Sequence, residues 1–176
     1  MGRSGLAFRA QLVIPEQRQI YDYWCKCAGD RDMPMRSDIN PGDIPALLPY
    51  VSLIDIERQP LRYRIRLAGT RLYDIYDREI TGKYVEELDW GGSKEYWISS
   101  YRRVVEGALP AQGVVRSPSK CSEHLAQFWL RLPLADKDGG VEMIFSYDAF
   151  VPVSEAVALV DGMAPVNGIS AYAARA

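Results

Sequence analysis

Four side chains in this sequence could hold a metal ion or act in nucleophilic chemistry: Cys25, Cys27, Cys121 and His124. A Cys-x-Cys pair and a Cys-x-x-His pair would together supply the four ligands of a structural zinc site. Cys25 and Cys27, however, fall within a predicted helix, on which residues two apart point to nearly opposite sides. They could share a metal only if that helix were broken, so we predict no metal site.

The same residues give little support for catalysis. His124 is the only histidine, and with Cys121 three residues before it, it could form a nucleophile and its base. The chain contains no GxSxG, P-loop or HExxH motif, and we predict that the protein is not an enzyme. Cys121 is a candidate redox-reactive thiol in a polar loop, whereas Cys27 is expected in the core and Cys25 at a partly exposed position.

The composition, with 48% hydrophobic and 25% charged residues, is that of a globular protein. A net charge of −2 argues against a general nucleic-acid binder, which normally carries a basic excess. No apolar run approaches the ~20 residues that cross a bilayer, and the first residues lack the apolar core of a signal peptide. Three cysteines are too few for a disulfide scaffold. We expect a cytoplasmic protein with neither a membrane nor a nucleic-acid partner.

The segment Leu61–Leu88 gives the clearest prediction of secondary structure. Its first residues alternate in type, which gives a strand one charged face and one buried face. The charged residues are Arg62, Arg64 and Arg66, and the apolar ones are Tyr63, Ile65 and Leu67. Gly69 and Thr70 then break the strand and cap a short helix over 72–76, and another short helix follows over 84–88.

At the N-terminus, residues 1–14 show no firm period and are predicted to be a flexible arm. Pro15–Ala28 is predicted to be a helix, with proline in its first turn. This helix is amphipathic, and a proline-rich lead-in follows it up to residue 49. Its apolar stripe consists of Ile20, Tyr23, Trp24 and Cys27. We expect the exposed part of the stripe to be a homodimer surface.

The second half of the chain predicts one long helix, Ser93–Gly107, and three strands. The strands cover 111–116, 125–134 and 141–151. The last two strands are joined by a hairpin turn with the sequence DKDGG, residues 136–140. Strands at both ends of a helical middle indicate an antiparallel α+β domain. Residues 152–176 are predicted to be a C-terminal extension, to which we assign no function.

The order of elements over residues 50–151 resembles a PAS domain, a fold with a five-stranded antiparallel sheet and helices on one face. A more specific resemblance lies in the lead-in and the segments after it. The residues concerned are Arg36, Asp38, Ile39, Pro41, Ile44-Pro45 and Leu47-Leu48-Pro49, with the VSLIDI strand, the RIRLAGT strand end and the ITGK turn. These are similar to a short PAS-like family of bacterial proteins, known mainly from alphaproteobacteria, whose members are typically a lone PAS domain.

In a PAS fold, any ligand cavity lies between the sheet and its middle helices. The resemblance therefore implies a ligand-binding site whose inward residues we predict to be Tyr63, Ile65, Tyr73, Tyr76, Trp97, Tyr101, Val104, Met143, Phe145 and Tyr147. We expect Leu67 on the same side. A few buried hydroxyls on apolar walls are usual in small-molecule sites. The same residues could instead simply fill the core, and both interpretations stay open at this point.

The cofactors of known PAS domains can be compared with this sequence. Haem-binding members generally use a histidine on the long helix, and Ser93–Gly107 contains none. Flavin photosensors carry a reactive cysteine on a middle helix, and residues 61–107 contain no cysteine. Haem and a covalently photoreactive flavin are therefore disfavoured, a non-covalent flavin stays open without support from the sequence, and the cofactor is unknown.

The three arginines of the second strand could bind an anionic partner. In PAS topology, however, that strand lies at the sheet edge, where charge discourages pairing with other strands. We expect Asp55 and Glu57 of the neighbouring strand to face the arginines.

Together, these inferences predict a cytoplasmic bacterial PAS module that regulates signalling by binding a small ligand and a protein partner. A homodimer through the N-terminal helix is also expected. The ligand would act by a population shift, because it would favour one packing of the long helix on the sheet. The alternative is a ligand-free adaptor or dimerisation protein with a fully packed core.

Overall fold

The centre of the protein is one antiparallel sheet of five strands in the order β2-β1-β5-β4-β3. The computed structural model describes residues 3–117 and 122–161. The strands are β1 Val51–Arg58, β2 Leu61–Ala68, β3 Ala111–Arg116, β4 Leu125–Ala135 and β5 Val141–Pro152. The first and last strands therefore lie side by side in the middle of the sheet. The predicted α+β fold with a five-stranded antiparallel sheet is confirmed.

Helices cover both faces of this sheet. They are α1 Arg3–Gln11, α2 Pro15–Ala28, α3 Thr70–Tyr76, α4 Lys94–Gly107 and α5 Val153–Asp161. Helix α2 has the predicted bounds, because Pro15 suits a first turn whose N–H groups have no partner. It ends where Gly29 adopts a φ of 59° and donates its N–H to the carbonyl of Cys25.

The N-terminal residues differ from the prediction of a flexible arm. Residues 3–11 form helix α1, Leu12 behind it is fully buried, and Arg9 pairs with Asp22 of α2 at 2.7 Å. The sequence did not reveal this helix because its apolar residues follow no helical stripe. At the other end of the chain, α5 belongs to the predicted C-terminal extension, and residues 162–176 lie outside the described residues.

The two faces of the sheet are covered by different helices, and successive strand residues alternate between them. On the outer face, α2 buries Ile20 and Trp24, and the Trp24 indole donates to the carbonyl of Pro133 at 2.9 Å. On the inner face, α4 buries Trp97 and Val104. The outer-face core residues of β4 and β5 include Phe128, Leu130, Leu132, Leu134, Met143, Phe145 and Tyr147.

The arginines of β2 lie at the sheet edge, and their predicted acidic partners face them. Asp55 binds Arg64 at 2.9 Å and Arg66 at 3.4 Å, and Glu57 lies 3.6 Å from Arg64. The two arginines are 45% and 59% exposed, so such pairs contribute little to stability. The charges therefore fit the role of protecting an edge strand.

Leu67 was predicted to face the interior, but it does not. The regular alternation of side chains along β2 is interrupted just before this residue. The register shifts between Leu53 and Ile54, which pair with Leu67 and Ile65. The extra residue of β2 moves Leu67 to the side of the outer-face residue Leu53, where its side chain is 47% exposed.

Candidate functional site

A buried ion pair lies at the middle of the inner face. Arg131 of β4 binds Asp148 of β5 through both oxygens of the carboxylate, at 2.9 and 3.0 Å. The two side chains are 2% and 4% exposed. Their strands are neighbours, with Arg131 opposite Ser146 and Trp129 opposite Asp148. The strand register therefore brings the two charges together, and each offsets the cost of burying the other.

The ion pair belongs to a larger polar group, which we call the inner polar cluster: Tyr76, Gln127, Arg131, Ser146 and Asp148. The side-chain amide nitrogen of Gln127 donates to Asp148 at 2.8 Å and to the hydroxyl of Tyr76 at 3.3 Å. Arg131 also donates to the carbonyl of Leu130 at 3.1 Å. Because Tyr76 is the last residue of α3, the cluster links that helix to the centre of the sheet.

Aromatic rings enclose the charged end of Arg131. The guanidinium carbon lies 5.2 Å from the ring centre of Tyr101 and 5.6 Å from those of Trp97 and Trp129. A cation so placed is attracted to the negative faces of the rings. Trp97 and Tyr101 come from α4, whereas Trp129 comes from β4, so the guanidinium is in contact with both layers.

Several buried polar atoms on the inner face have no hydrogen-bond partner among the described residues. They are the hydroxyl oxygens of Tyr63 and Ser146, the side-chain oxygen Oε1 of Gln127 and the Nε nitrogen of Arg131. Each such atom costs about 1–3 kcal/mol relative to a partnered one. Three of these four belong to the inner polar cluster, whereas the other buried atoms without a partner among the described residues, Nε2 of Gln17 and Oε2 of Glu86, lie outside it.

Burial and the ion pair set the protonation states of the cluster. Burial lowers the pKa of Arg131, but the Asp148 carboxylate opposes this, and the net pKa lies above the ordinary value of arginine. Burial raises the pKa of Tyr101 and that of Tyr76 as well, and the positive charge of Arg131 only partly opposes it. Both tyrosines therefore keep their protons at neutral pH and can donate hydrogen bonds.

The structure brings together six of the ten predicted site residues on the inner face. They are Tyr63, Ile65, Tyr76, Trp97, Tyr101 and Val104. Tyr73 lies elsewhere, with its side chain 53% exposed, because it points away from the sheet on α3.

The predicted orientation of the last strand was wrong. Met143, Phe145 and Tyr147 lie on the outer face, in the core beneath α2, rather than beside the middle helices. Because β5 is buried on both faces, the usual contrast between a buried apolar side and an exposed polar side does not distinguish the two directions. The inner residues of this strand are instead the even-numbered ones, including Ile144, Ser146 and Asp148.

Sequence reasoning missed the four polar side chains that β4 and β5 contribute to the cluster. A signal was present, because Gln127 and Arg131 are spaced by four residues in an otherwise apolar strand, and Ser146 and Asp148 by two. Polar residues that follow the two-residue period of a buried strand all point to the same face. Such a pattern predicts a polar group inside the core.

The predicted homodimer stripe lies mainly inside the protein. Ile20 is fully buried and Trp24 is 4% exposed, because both pack on the sheet of their own chain. Cys25 and Cys27 are half-buried free thiols on α2. Cys121 lies outside the described residues. Residues 3–117 and 122–161 contain no group of three metal-ligating side chains, and no helix in this part of the chain is long and apolar enough to cross a bilayer.

Solved structures share this fold at low sequence identity. A light-oxygen-voltage domain studied with a flavin analogue is 14% identical, with a TM-score of 0.55, and the match covers 68% of this chain and 90% of that one. The light state of the blue-light photoreceptor Aureochrome1 LOV is 11% identical, with a TM-score of 0.51 and coverage of 68% and 94%. VqmA bound to DPO is 12% identical, with a TM-score of 0.50 and coverage of 64% and 58%. These likenesses support the fold alone.

No curated protein gives a significant sequence match to this chain. The family model described as PAS domain matches residues 13–147, which include the sheet up to the middle of β5, the helices of the inner face and α2. PAS domains are typically sensor modules in signalling, and they are generally not catalytic. The match spans most of the sequence, so the chain belongs to the PAS domain family.

Proposed function

We propose that this protein is a cytoplasmic bacterial PAS module that regulates signalling by binding a small molecule on the inner face of its sheet. The observation that carries the proposal is the set of buried polar atoms around the Arg131–Asp148 pair that have no partner in the part of the chain that the structure describes. Buried polar groups are nearly always hydrogen-bonded in native proteins. A ligand that supplies the missing partners would bind there and recover the cost of leaving them unpaired.

Binding at this place would alter how α4 packs on the sheet. Trp97 and Tyr101 of α4 contact the guanidinium of Arg131, and the rings of Trp97 and Trp129 lie 6.1 Å apart. Both tryptophans are fully buried, so a ligand must displace side chains as it enters. The ligand then favours the packing that admits it, and this population shift is the signal that a protein partner reads.

A second part of the proposal concerns association. Most of the predicted stripe on α2 is used within the chain, so a homodimer through the N-terminal helices must use the outward side of α1 and α2. Leu6 of α1 is 57% exposed and Cys25 of α2 is half-buried. Sedimentation at tens of micromolar tests this, and a strict monomer that is unaffected by Leu6→Glu would contradict it.

The alternative candidate is a ligand-free adaptor, in which the same residues only fill the core. Mass spectrometry of small molecules released from the purified protein can distinguish the ligand-binding module from the ligand-free adaptor. We expect the wild-type protein to release a compound, and the double variant Arg131→Met with Asp148→Leu to release much less. This variant removes the charges while keeping similar side-chain volumes, so it tests the polar cluster rather than the fold.

Leu132→Met on the outer face is the matched control and should retain the compound. If neither the wild-type protein nor the control releases any compound, and none of the metabolites of a bacterial extract shifts the indole NMR signals of Trp97 or Trp129, the adaptor is the better description. Trp24, on the outer face, provides an internal reference signal in the same spectra.

A further inference from the structure

We infer that the ligand of the inner polar cluster is a neutral, flat molecule whose edge carries a carbonyl-type acceptor next to an N–H donor, as in a lactam. This inference rests on the proposed function, because it names the chemical class of the ligand for that site. It follows from the donors and acceptors left free, from the charge already present and from the shape of the surrounding side chains.

The required acceptor follows from Arg131. The guanidinium is planar and holds its five N–H donors in a fixed fork. Its terminal nitrogens already bind the Asp148 carboxylate, and Nη1 also donates to Leu130. The Nε–H at the side of the fork has no partner within the described residues. A carbonyl or ring-nitrogen acceptor that approaches from this side would accept a hydrogen bond from the Nε–H, so that each nitrogen of the guanidinium would then donate at least one.

The required donor follows from Gln127. Its amide nitrogen must face Asp148, because a carboxylate accepts hydrogen bonds and does not donate them. The amide oxygen Oε1 is then left as a buried acceptor that no described residue reaches. Gln127 and Arg131 donate to the same oxygen of Asp148, at 2.8 and 2.9 Å, so their free atoms belong to adjacent groups. One small molecule can therefore present a donor and an acceptor to both.

The charge of the cluster argues that the ligand is neutral. Arg131 is already paired with Asp148 in a site where both side chains are almost fully buried. A carboxylate or phosphate on the ligand would place a second negative charge on one guanidinium, and an unpaired buried charge is costly. A cationic ligand would meet the positive Arg131 directly. A neutral polar edge can bond to the free atoms of Arg131 and Gln127 without adding a second negative charge or placing a positive charge beside Arg131.

The shape of the site argues for a flat ligand. The rings of Trp97, Tyr101 and Trp129 surround the guanidinium at 5.2–5.6 Å. Trp129 lies directly over Gly113, where an added Cβ would come within 2.5 Å of the indole, so the strand surface beneath this ring is flat. Planar rings pack against such walls by offset stacking or edge contacts.

The test uses three bicyclic probes of similar size that differ in their polar edge. Carbostyril carries a neutral lactam edge, naphthalene has no polar edge, and quinaldate carries a carboxylate. Binding to the full chain is followed through the indole N–H signals in heteronuclear NMR. Trp97 and Trp129 report on the inner face, and Trp24 on the outer face is the internal control.

We expect carbostyril to shift the signals of Trp97 and Trp129, and to bind about tenfold to a hundredfold more tightly than naphthalene or quinaldate, because only the lactam satisfies both free groups. In Arg131→Lys, which keeps the positive charge but lacks Nε, the preference for carbostyril over naphthalene should fall by about tenfold. Ser100→Ala is a control on α4 and should keep the full preference, since the Ser100 hydroxyl is already bonded to the carbonyl of Trp97.

Other outcomes separate this inference from the proposal on which it rests. Equal binding of the three probes, or tighter binding of quinaldate, would overturn the ligand class but leave a binding site on the inner face. If no probe binds while the purified protein releases a compound of another class, the ligand class is again wrong. If no probe binds and nothing is released, the proposed function fails together with the inference.

Discussion

The outer face of the sheet is lined by apolar and aromatic side chains beneath α2. The inner face beneath α3 and α4 encloses a charged pair and polar atoms that no described residue partners. Leu130, Leu132 and Leu134 are fully buried on the outer side of β4. On the inner side of the same strand lie Gln127 and Arg131, also almost fully buried. Both faces are equally well covered, so burial alone does not explain their different chemistry.

This difference indicates that the two faces of the sheet have different roles in the protein. An apolar core gains stability from every residue that it buries, and α2 uses the outer face in this way. The inner face instead buries an ion pair and a group of polar atoms that have no partner among the described residues. Proteins commonly accept the cost of burying such groups where a function requires it. Stability measurements on matched variants of the two faces can therefore test the comparison.

The largest effect is expected for Asp148→Ala. Removal of one partner leaves the charge of Arg131 buried and unpaired, which should lower the free energy of unfolding by about 3–5 kcal/mol. The double variant Arg131→Met with Asp148→Leu should cost far less, because no unpaired charge remains. Urea unfolding curves give both values. If the single and double variants are equally unstable, the pair does not act as a compensated charge inside the protein.

Leu132→Ala is the matching change on the outer face. The side chain is fully buried, and its truncation should cost about 2–4 kcal/mol through lost burial and the cavity left behind. The NMR signals of Trp97 and Trp129 on the inner face should stay in place, while that of Trp24 should move. Shifts of similar size on both faces would show that the two cores are not separate.

Tyr63→Phe tests the inner face at alkaline pH. Burial raises the pKa of Tyr63 from 10 to about 12, so the folded protein keeps a proton that the unfolded chain loses in this range. Its contribution is fully present below pH 10 and is lost as the pH rises through about 12. The variant should reduce the loss of stability in this window by up to about 1.4 kcal/mol per pH unit.

At neutral pH, the same variant should be more stable than the wild-type protein by about 1 kcal/mol, because the buried hydroxyl of Tyr63 has no partner among the described residues. Unfolding at a series of pH values measures both effects. An unchanged alkaline slope would mean that this hydroxyl titrates at the same pH in the folded and unfolded protein.

Ser146→Ala should raise stability, in contrast to most core substitutions. Its buried hydroxyl has no partner among the described residues, so its removal should add about 1 kcal/mol to the free energy of unfolding. Ser100→Ala is the control, since the Ser100 hydroxyl donates to the carbonyl of Trp97 at 2.7 Å, and its loss should bring no gain. A destabilised Ser146→Ala variant would show that an ordered water or another group already satisfies Ser146.

The smallest effect is expected at the sheet edge. Arg66→Gln removes a contact of 3.4 Å with Asp55, and the arginine is 59% exposed. Such pairs contribute at most about 1 kcal/mol, and the measured loss should fall further in high salt. A loss as large as that of Leu132→Ala would mean that the edge charges contribute to stability as strongly as the core.

Much of the fold could be predicted from local patterns. The bounds of α2 and β3 agree with the predictions at both ends, because proline, glycine and the length of the apolar run limit these elements. The hairpin at residues 136–140 forms as expected, with Asp136 accepting the N–H of Gly140 at 2.8 Å and Gly139 at a φ of 85°. Helix α1 was not predicted because no apolar stripe distinguishes it.

The sequence by itself determined the five strands, the helices α2, α3 and α4, the order of these elements and the α+β fold, because each depends on neighbours along the chain. The tertiary structure alone decided which side of β4 and β5 faces α2 and which faces α4. These strands are buried on both sides, so neither side is exposed to water, and exposure cannot decide which way their side chains point. It also decided that Arg131 and Asp148 would meet, since the register between two strands brings together residues that lie seventeen positions apart in the chain.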